Sequence, residues 1–247
     1  MSSIFVDTPS LVRDLLKAIE TCPVDRPFLF IDLEGINLSR HGSISIMQIL
    51  IPATGVVYLV DAVTLKTDAF DTASDSGLTL KKVLESETIP KVFFDVRNDS
   101  DALCSHFVIS LQCVVDIQLL EFVTRPRQGR YLRSLSKCVE ENAGLARTEL
   151  RQWHSIKEAG KKLFAPEKGG SYEVFNARPL PATLVQYCIQ DVLLMPKLLL
   201  KFSALLTDTK ASKVAQETTR RIQESQSASY QSNGPHKAIG PQFQHMR

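Results

Sequence analysis

The sequence predicts an α/β fold with a mixed five-stranded sheet, and two patterns support this fold class. Three apolar runs, 28–35, 44–51 and 56–60, follow one another closely, which favours antiparallel neighbours in one sheet. Two shorter apolar runs, 91–94 and 114–117, then alternate with helical patterns, as parallel strands joined by helices do. We therefore expect three antiparallel strands and then two parallel ones, flanked by helices.

Helical patterns account for most of the remaining chain. Thr8 and Pro9 suit the start of a helix, apolar residues follow at helical spacing as far as Ile19, and the helix is expected to end near Thr21. Further helices are predicted over 78–84, 99–107, 131–142, 147–163 and 183–206. After Ser225 the composition turns to Ser, Gln, Gly and Pro with few apolar residues. We expect one domain over 1–225 and a disordered polar tail over 226–247.

Composition and charge exclude several classes of protein. At 247 residues, with 44% hydrophobic and 23% charged residues, the chain is typical of a globular protein. A net charge of +2 means that nucleic-acid binding would depend on local basic patches. Five cysteines without Cys-x-x-Cys spacing favour free thiols over a disulfide framework or a zinc site. With no secretory signal and no apolar run long enough for a bilayer, we expect an intracellular protein without a membrane partner; nucleus and cytoplasm both remain open.

The strand at 28–35 carries two acids that face the same way. Because side chains alternate along a strand, Asp32 and Glu34 point to one face near its C-terminal end. Two carboxylates so placed repel each other and are costly to desolvate, which favours a divalent metal site of hard oxygen ligands. The alternative is a strand end that emerges into solvent with two ordinary surface acids.

Two later segments carry further candidates. Asp95, Asp99 and Asp101 lie at a strand-to-helix junction, an edge where α/β sheets place their sites, although helix capping would also explain them. Tyr187 and Asp191 are four residues apart and share one helix face, either towards a site or towards solvent. These patterns alone do not decide between the alternatives, nor among the three junction acids.

Together the three segments resemble the motifs of the DEDD exonucleases. Asp32-Leu-Glu34, Asp99 and Tyr187-x-x-x-Asp191 are similar in order and placement to the tyrosine-bearing (DEDDy) branch, a DnaQ-like group, and above all to the ribonuclease D-like and Egalitarian-like 3′–5′ exonuclease domain. The likeness covers about residues 5–206 and implies a ribonuclease H-like fold. One departure is Phe94, where ribonuclease D-like members often carry His. The resemblance selects Asp99 among the three junction acids.

The resemblance also implies a chemistry. Phosphodiester hydrolysis would use two divalent ions, Mg²⁺ or Mn²⁺, which together activate water and stabilise the leaving oxygen. Asp32 would bridge the metals, Glu34 and Asp191 would hold the one that activates water, and Asp99 the other. Tyr187 would orient that water, because a phenol with a pKa near 10 is a poor general base at neutral pH.

Basic residues form two groups. Arg125, Arg127, Arg130 and Arg133 surround a Pro/Gly-containing loop and are candidates for phosphate contacts. Lys157, Lys161, Lys162 and Lys168 lead into a Gly-Gly loop and could also contact phosphate, but we favour an ordinary solvated helix face for the first three. His106 and His154 are interpreted as structural residues.

The expected function is 3′–5′ hydrolysis of single-stranded nucleic acid from its 3′ end, with RNA favoured over DNA as the substrate. The alternative is a catalytically weak or inactive adaptor that keeps the exonuclease fold to bind RNA or a protein. The presence of all four acids and the tyrosine favours the enzyme.

Overall fold

The fold is built on a six-stranded mixed sheet. The structure is a computed structural model, which describes residues 2–22, 29–127 and 129–242. Its strands are β1 (Ser2–Val6), β2 (Leu29–Glu34), β3 (Ile46–Ile51), β4 (Val56–Asp61), β5 (Lys91–Phe93) and β6 (Val114–Asp116). They lie in the order β1-β4-β3-β2-β5-β6. β2, β3 and β4 pair antiparallel, and β5 and β6 add in parallel beside β2. The predicted arrangement of those five strands is confirmed, and β2 begins one residue after Phe28, which lies outside the described residues.

The predicted strand count of five is wrong, because β1 pairs in parallel with β4 at one edge. Only Val6 of this strand is buried, while Ser2, Ser3 and Ile4 are exposed. An edge strand with one buried residue carries no clear alternating pattern, so its sequence resembles a loop.

The main helices are α1 (Pro9–Glu20), α4 (Leu80–Glu85), α5 (Arg97–Phe107), α6 (Ile117–Thr124), α7 (Leu135–Asn142), α8 (Arg147–Phe164), α9 (Ala182–Leu193), α10 (Met195–Ser203) and α11 (Asp208–Gln226). Two single-turn helices, α2 (Ala62–Leu65) and α3 (Asp68–Asp71), follow β4, and 3₁₀ turns span Pro166–Lys168, Tyr172–Asn176 and Pro235–Ala238. The helix predicted over 183–206 is divided at Leu194, just before Pro196. The segment Ala182–Ser203 is apolar and long enough to cross a membrane by composition, but half of that window is buried in the protein. It packs as core, because α9 contacts β2, β3 and β4.

The two faces of β2 belong to different layers. Leu29, Ile31 and Leu33 pack into the apolar cluster that contains α1. Phe30 packs into the opposite cluster, with residues of α6 to α10. Since side chains alternate along a strand, Asp32 and Glu34 share the face of Phe30 and point towards α8 and α9.

The C-terminal residues differ from the expectation of a disordered tail over 226–247. α11 ends at Gln226, and the chain then folds back across the N-terminal end of α5. Tyr230 Oη donates to Asn98 Oδ1 at 2.8 Å, Leu132 N donates to Ala238 O at 2.9 Å, and Gly240 N donates to Arg130 O at 2.8 Å. These contacts contrast with the predicted disorder over 226–242, because polar hydrogen bonds join this segment to the domain where apolar residues are few. Residues 243–247 lie outside the described residues.

Candidate active site

Three of the five predicted site residues form one cluster. Carboxylate oxygens of Asp32, Glu34 and Asp191 all lie within 4.8 Å of one another. β2 supplies the first two at its C-terminal end, and α9 supplies Asp191 from the layer above the sheet. Asp191 is buried, whereas Asp32 and Glu34 are half-buried. The cluster is thus accessible from one side and closed on the other.

The carboxylates of this cluster destabilise one another's ionised forms. Burial raises the pKa of Asp32 well above its usual range, and the charges of Asp191, Glu34 and Asp99 raise it further. Burial raises the pKa of Glu34 to about 8, again with a contribution from Asp191. Burial also raises the pKa of Asp191, against the opposing effect of the Lys157 ammonium. A divalent cation would relieve this repulsion and stabilise the ionised forms.

Tyr187 lies one helical turn before Asp191 and faces the same cluster. It is 9% exposed, and its ring packs edge-on against Phe164 of α8 with centroids 5.1 Å apart. Gly160 permits this approach, because a Cβ atom there would come within 2.4 Å of the Tyr187 ring. Burial raises the pKa of Tyr187 above its usual value, and the charges of Asp191, Glu34 and Asp32 act in the same direction. The phenol therefore stays protonated and can donate or accept a hydrogen bond without serving as a base.

Lys157 of α8 belongs to the site, which contradicts its interpretation as part of a solvated face. Its ammonium lies 2.5 Å and 2.7 Å from the two carboxylate oxygens of Asp191 and 3.2 Å from the centroid of the Tyr187 ring. The side chain is 4% exposed. A pattern in the sequence indicates this burial. The buried face of α8 consists of residues at helical spacing, namely Trp153, Lys157, Gly160 and Phe164.

The three acids at the junction after β5 differ in their hydrogen-bond partners. Asp95 accepts two hydrogen bonds from Arg97, at 2.5 Å and 2.7 Å. Asp101 is fully buried and accepts from the backbone N and Nε of Arg40, at 2.8 Å and 2.7 Å. Asp99 is 6% exposed, and no hydrogen-bond partner for its Oδ1 exists among the described residues. Of the three acids, the one that the resemblance selects is thus the one with a buried carboxylate oxygen that has no partner in the described ranges.

Helix capping does not explain Asp99. α5 begins at Arg97, so Asp99 is its third residue, and the residue before the helix, Val96, makes no side-chain cap. The carboxylate of Asp116 instead accepts from the backbone amides of Asp95 and Val96, at 2.9 Å and 3.4 Å. Asp99 is therefore not required to complete the helix end.

Asp99 lies outside the cluster of three but acts on it. Its carboxylate is not among the groups that lie within 4.8 Å of one another, yet its charge raises the pKa values of Asp32 and Glu34. Burial raises the pKa of Asp99 itself to about 7, with the Asp95 charge contributing. The expected convergence of four carboxylates is thus a close group of three with the fourth nearby.

These residues fit a divalent metal. Carboxylate oxygens are the donors that Mg²⁺ and Mn²⁺ prefer. Three carboxylates offer oxygens within 4.8 Å of one another, and the fourth, Asp99, has a buried Oδ1 with no partner in the described part of the chain. The donor set contains neither thiolate nor imidazole, which disfavours zinc.

The basic loop is less available than predicted. Arg125 binds both carboxylate oxygens of Glu121, and Arg133 pairs with Glu121 and Glu141. Among the described residues, Arg127 has no ion-pair partner and is exposed. His106 contacts Ser39 O at 2.9 Å, in keeping with a structural role.

Comparison with known proteins identifies the family and the fold. The family profile described as 3′-5′ exonuclease matches residues 3–216. A comparison with curated protein sequences finds no significant match.

Several solved structures share the fold. Trypanosoma brucei RNase D in complex with RNA U12 superposes with a TM-score of 0.75 at 19% identity, over 97% of this chain and 76% of that one. Escherichia coli RNase D gives 0.61 at 17% identity, over 92% of this chain and 52% of that one. Brucella melitensis NrnC with bound Mg²⁺ gives 0.60 at 19% identity, over 91% and 92%. With the family match over most of its length and the acids of β2, α5 and α9 in place, this chain belongs to the 3′–5′ exonuclease family.

Proposed function

We propose that the domain removes nucleotides from the 3′ end of single-stranded nucleic acid, with RNA preferred over DNA and two Mg²⁺ or Mn²⁺ ions as cofactors. The observation that carries this proposal is the meeting of Asp32, Glu34 and Asp191 within 4.8 Å, with the unpaired Asp99 close by. Burying carboxylates so close together costs free energy unless a cation binds them, so this arrangement is typical of a metal-binding site.

Each acid has a place in this proposal. The charges of both Asp191 and Asp99 act on Asp32, so Asp32 is placed between them and is suited to bind both metals. Glu34 and Asp191 would hold the first, and Asp99 would hold the second. When bound, the ions supply charge stabilisation for attacking and leaving oxygens and lower the pKa of water.

Tyr187 would orient the attacking water. Its ring is fixed by Phe164 and Gly160, so the direction of its hydroxyl is set before substrate arrives. Fixing a reacting group in advance removes part of the entropic cost of the reaction.

The preference for RNA is supported by the structural neighbours. One neighbour is an RNase D bound to RNA U12, and another is described as an exoribonuclease involved in structured RNA processing. Mg²⁺ is bound in a third, NrnC. These likenesses show a shared fold, and the substrate is our extension of it.

An adaptor without catalysis is the second candidate, and Lys157 is the observation that favours it. Its ammonium satisfies both oxygens of Asp191, so this acid is stable without a metal. In an active enzyme the ammonium would share Asp191 with the metal or shift away from it.

The deciding experiment is incubation of 5′-labelled single-stranded RNA and DNA with the protein in Mg²⁺, Mn²⁺ or EDTA. We expect a ladder of products shortened from the 3′ end with either metal, faster for RNA, and none in EDTA or with the Asp32→Asn variant. An intact substrate under every metal condition would exclude the exonuclease and leave the adaptor.

A further inference from the structure

The C-terminal segment, residues 227–242, contacts the first turn of α5, the turn to which Asp99 belongs. Besides the contact between Tyr230 and Asn98, the Nη2 of Arg97 donates to the backbone oxygen of Lys237 at 2.9 Å. Asn98 and Arg97 are the two residues that precede Asp99 in α5. The segment therefore forms a wall next to the α5 side of the acid cluster.

A polar cavity of about 360 Å³ lies between this segment and the body of the domain. Its lining includes Arg97, Tyr230, His236 and Lys237, with Glu224 as its acid. Ligand sites in proteins have volumes of about 300–1,000 Å³, so the cavity is large enough for part of a nucleotide.

Lys237 is a half-buried cation with neutral partners. Its ammonium donates to Asn98 Oδ1 and lies 3.1 Å from Tyr230 Oη, and among the described residues no carboxylate lies within ion-pair distance of it. The neighbouring arginines differ, since Arg97 pairs with Asp95, Arg40 with Asp101 and Arg221 with Asp116. Burial lowers the pKa of Lys237 to about 8, against the opposing effect of the Asp95 charge. A half-buried charge without an ion-pair partner is costly, and an anionic ligand would offset that cost.

The chemistry of the reaction indicates which anion this would be. An exonuclease that acts from the 3′ end cleaves the last phosphodiester, and beyond that bond the terminal nucleotide carries no other phosphate. Any second phosphate near the acid cluster therefore belongs to the 5′ side of the strand.

We propose that Lys237, held by Asn98 and Tyr230, binds the backbone phosphate on the 5′ side of the scissile bond, so that residues 227–242 form one wall of the single-strand path. This inference rests on the proposed function, because it takes the acid cluster as the place of cleavage. It makes the C-terminal segment part of the substrate-binding surface.

The test measures binding in EDTA, where no cleavage occurs and the result does not depend on turnover. Fluorescence anisotropy with labelled hexauridylate (U6) would compare the wild type with Lys237→Gln, Lys237→Arg and Lys17→Gln. Lys17 serves as the matched control, because it is an exposed lysine of α1 and α1 packs on the face of the sheet opposite to Asp32 and Glu34. Unlabelled UpU, which carries only the phosphate that would be cleaved, would compete with U6 in a second series.

We expect Lys237→Gln to weaken U6 binding by roughly threefold to tenfold and to lower the slope of log Kd against log salt by about 0.7, the value for one lost phosphate contact on a single strand. Lys237→Arg should keep most of the affinity because it keeps the charge, and Lys17→Gln should match the wild type. The loss for UpU should be smaller than that for U6.

Two results would overturn the inference. One is U6 binding by Lys237→Gln within twofold of the wild type and with the same salt slope. The other is an equal loss for U6 and UpU, or a loss that Lys237→Arg does not restore, since either would mean general damage to the segment. Absence of cleavage by the wild type in Mg²⁺ or Mn²⁺ would instead refute the proposed function and would leave the binding result to be judged separately.

Discussion

α9 and α5, the two helices beside Asp32 and Glu34 of β2, each contribute a carboxylate to the site, and the two carboxylates differ in their partners. On the α9 side, Asp191 is held through both oxygens by Lys157. On the α5 side, Oδ1 of Asp99 has no partner within residues 2–22, 29–127 and 129–242, although an arginine pairs with each of its neighbours Asp95 and Asp101. In the part of the chain that the structure describes, Asp191 thus has a cation in direct contact, whereas no cation lies within ion-pair distance of Asp99 and the Lys237 ammonium acts on it only from farther away. We infer that the α9 side is fixed before metal binds, whereas the α5 side depends on metal for charge balance.

The largest effect is expected from Asp32→Asn, because Asp32 interacts with the carboxylates of both the α9 side and the α5 side. The neutral amide replaces a carboxylate on which the charges of Asp191, Glu34 and Asp99 act, and in our proposal it removes the ligand that the two metals share. We expect turnover to fall by roughly a thousandfold or more. Calorimetric titration with Mn²⁺ should show weaker binding, while the metal-free protein becomes more stable because repulsion is relieved. Wild-type Mn²⁺ affinity in this variant would show that Asp32 is not a ligand.

Tyr187→Phe tests the α9 side alone. The ring and its contact with Phe164 remain, so metal affinity and thermal stability should change little. Turnover should fall by roughly tenfold to a thousandfold, the range for losing one positioning contact. Tyr172→Phe is the control, because Tyr172 also packs on Phe164, with ring centroids 5.6 Å apart. If both variants cleaved as fast as the wild type, the water-orienting role would be wrong.

Lys157→Met tests whether the chain's own cation stabilises the metal-free site. Removing one partner of a buried ion pair typically costs about 3–5 kcal/mol, because the other charge is left uncompensated. Urea unfolding in EDTA should show a loss of that order, and Mn²⁺ should reduce it by taking the place of the ammonium. Lys161→Met, on the same helix and paired with the exposed Glu158, should cost less than about 1 kcal/mol. Equal losses in the two variants would contradict the assigned role.

A pH dependence of the stability of the metal-free protein sharpens the comparison without any substitution. The folded pKa values of Glu34, about 8, and Asp99, about 7, lie above their ordinary values of 4.5 and 3.8. A raised folded pKa adds stability below the ordinary value, and this stability is lost as the pH rises through the folded value. The metal-free protein should therefore lose stability between about pH 4.5 and 8, less so in Glu34→Gln.

Metal should reverse this trend, since protons and cations compete for the same oxygens. The stabilisation by Mn²⁺, measured as a shift in urea midpoint, should grow as the pH rises over the same range. A Mn²⁺ shift independent of pH would contradict the assignment of Glu34 and Asp99 as ligands.

Much of the fold follows from local patterns. The runs at 44–51 and 56–60 became β3 and β4, and the cap at Thr8 begins α1, with its hydroxyl accepting from Leu11 N at 3.3 Å. Such signals are read within a few residues, because a strand or cap is defined by its nearest neighbours. β1 was missed since most of its residues face solvent, and the C-terminal segment was missed since polar contacts hold it.

The candidate site divides in the same way. Asp32 with Glu34, and Tyr187 with Asp191, could be placed on common faces because strands and helices have fixed periods. The role of Lys157 could not be predicted with equal ease. A lysine is usually solvated, and only the packing of α8 on α9 shows that this one is buried against Asp191.

The sequence by itself determined that three antiparallel strands, β2 to β4, precede two parallel ones, β5 and β6. It also determined the faces on which the acids lie and, through its motifs, the family. Only the tertiary structure decided which acids are paired, that Lys157 enters the site and that residues 227–242 contact the first turn of α5. The physical reason is distance along the chain. The contacts that decide these points join residues 34, 61 and 132 positions apart, between Lys157 and Asp191, Arg40 and Asp101, and Asn98 and Tyr230. No local pattern encodes such contacts, because they exist only once the layers have packed.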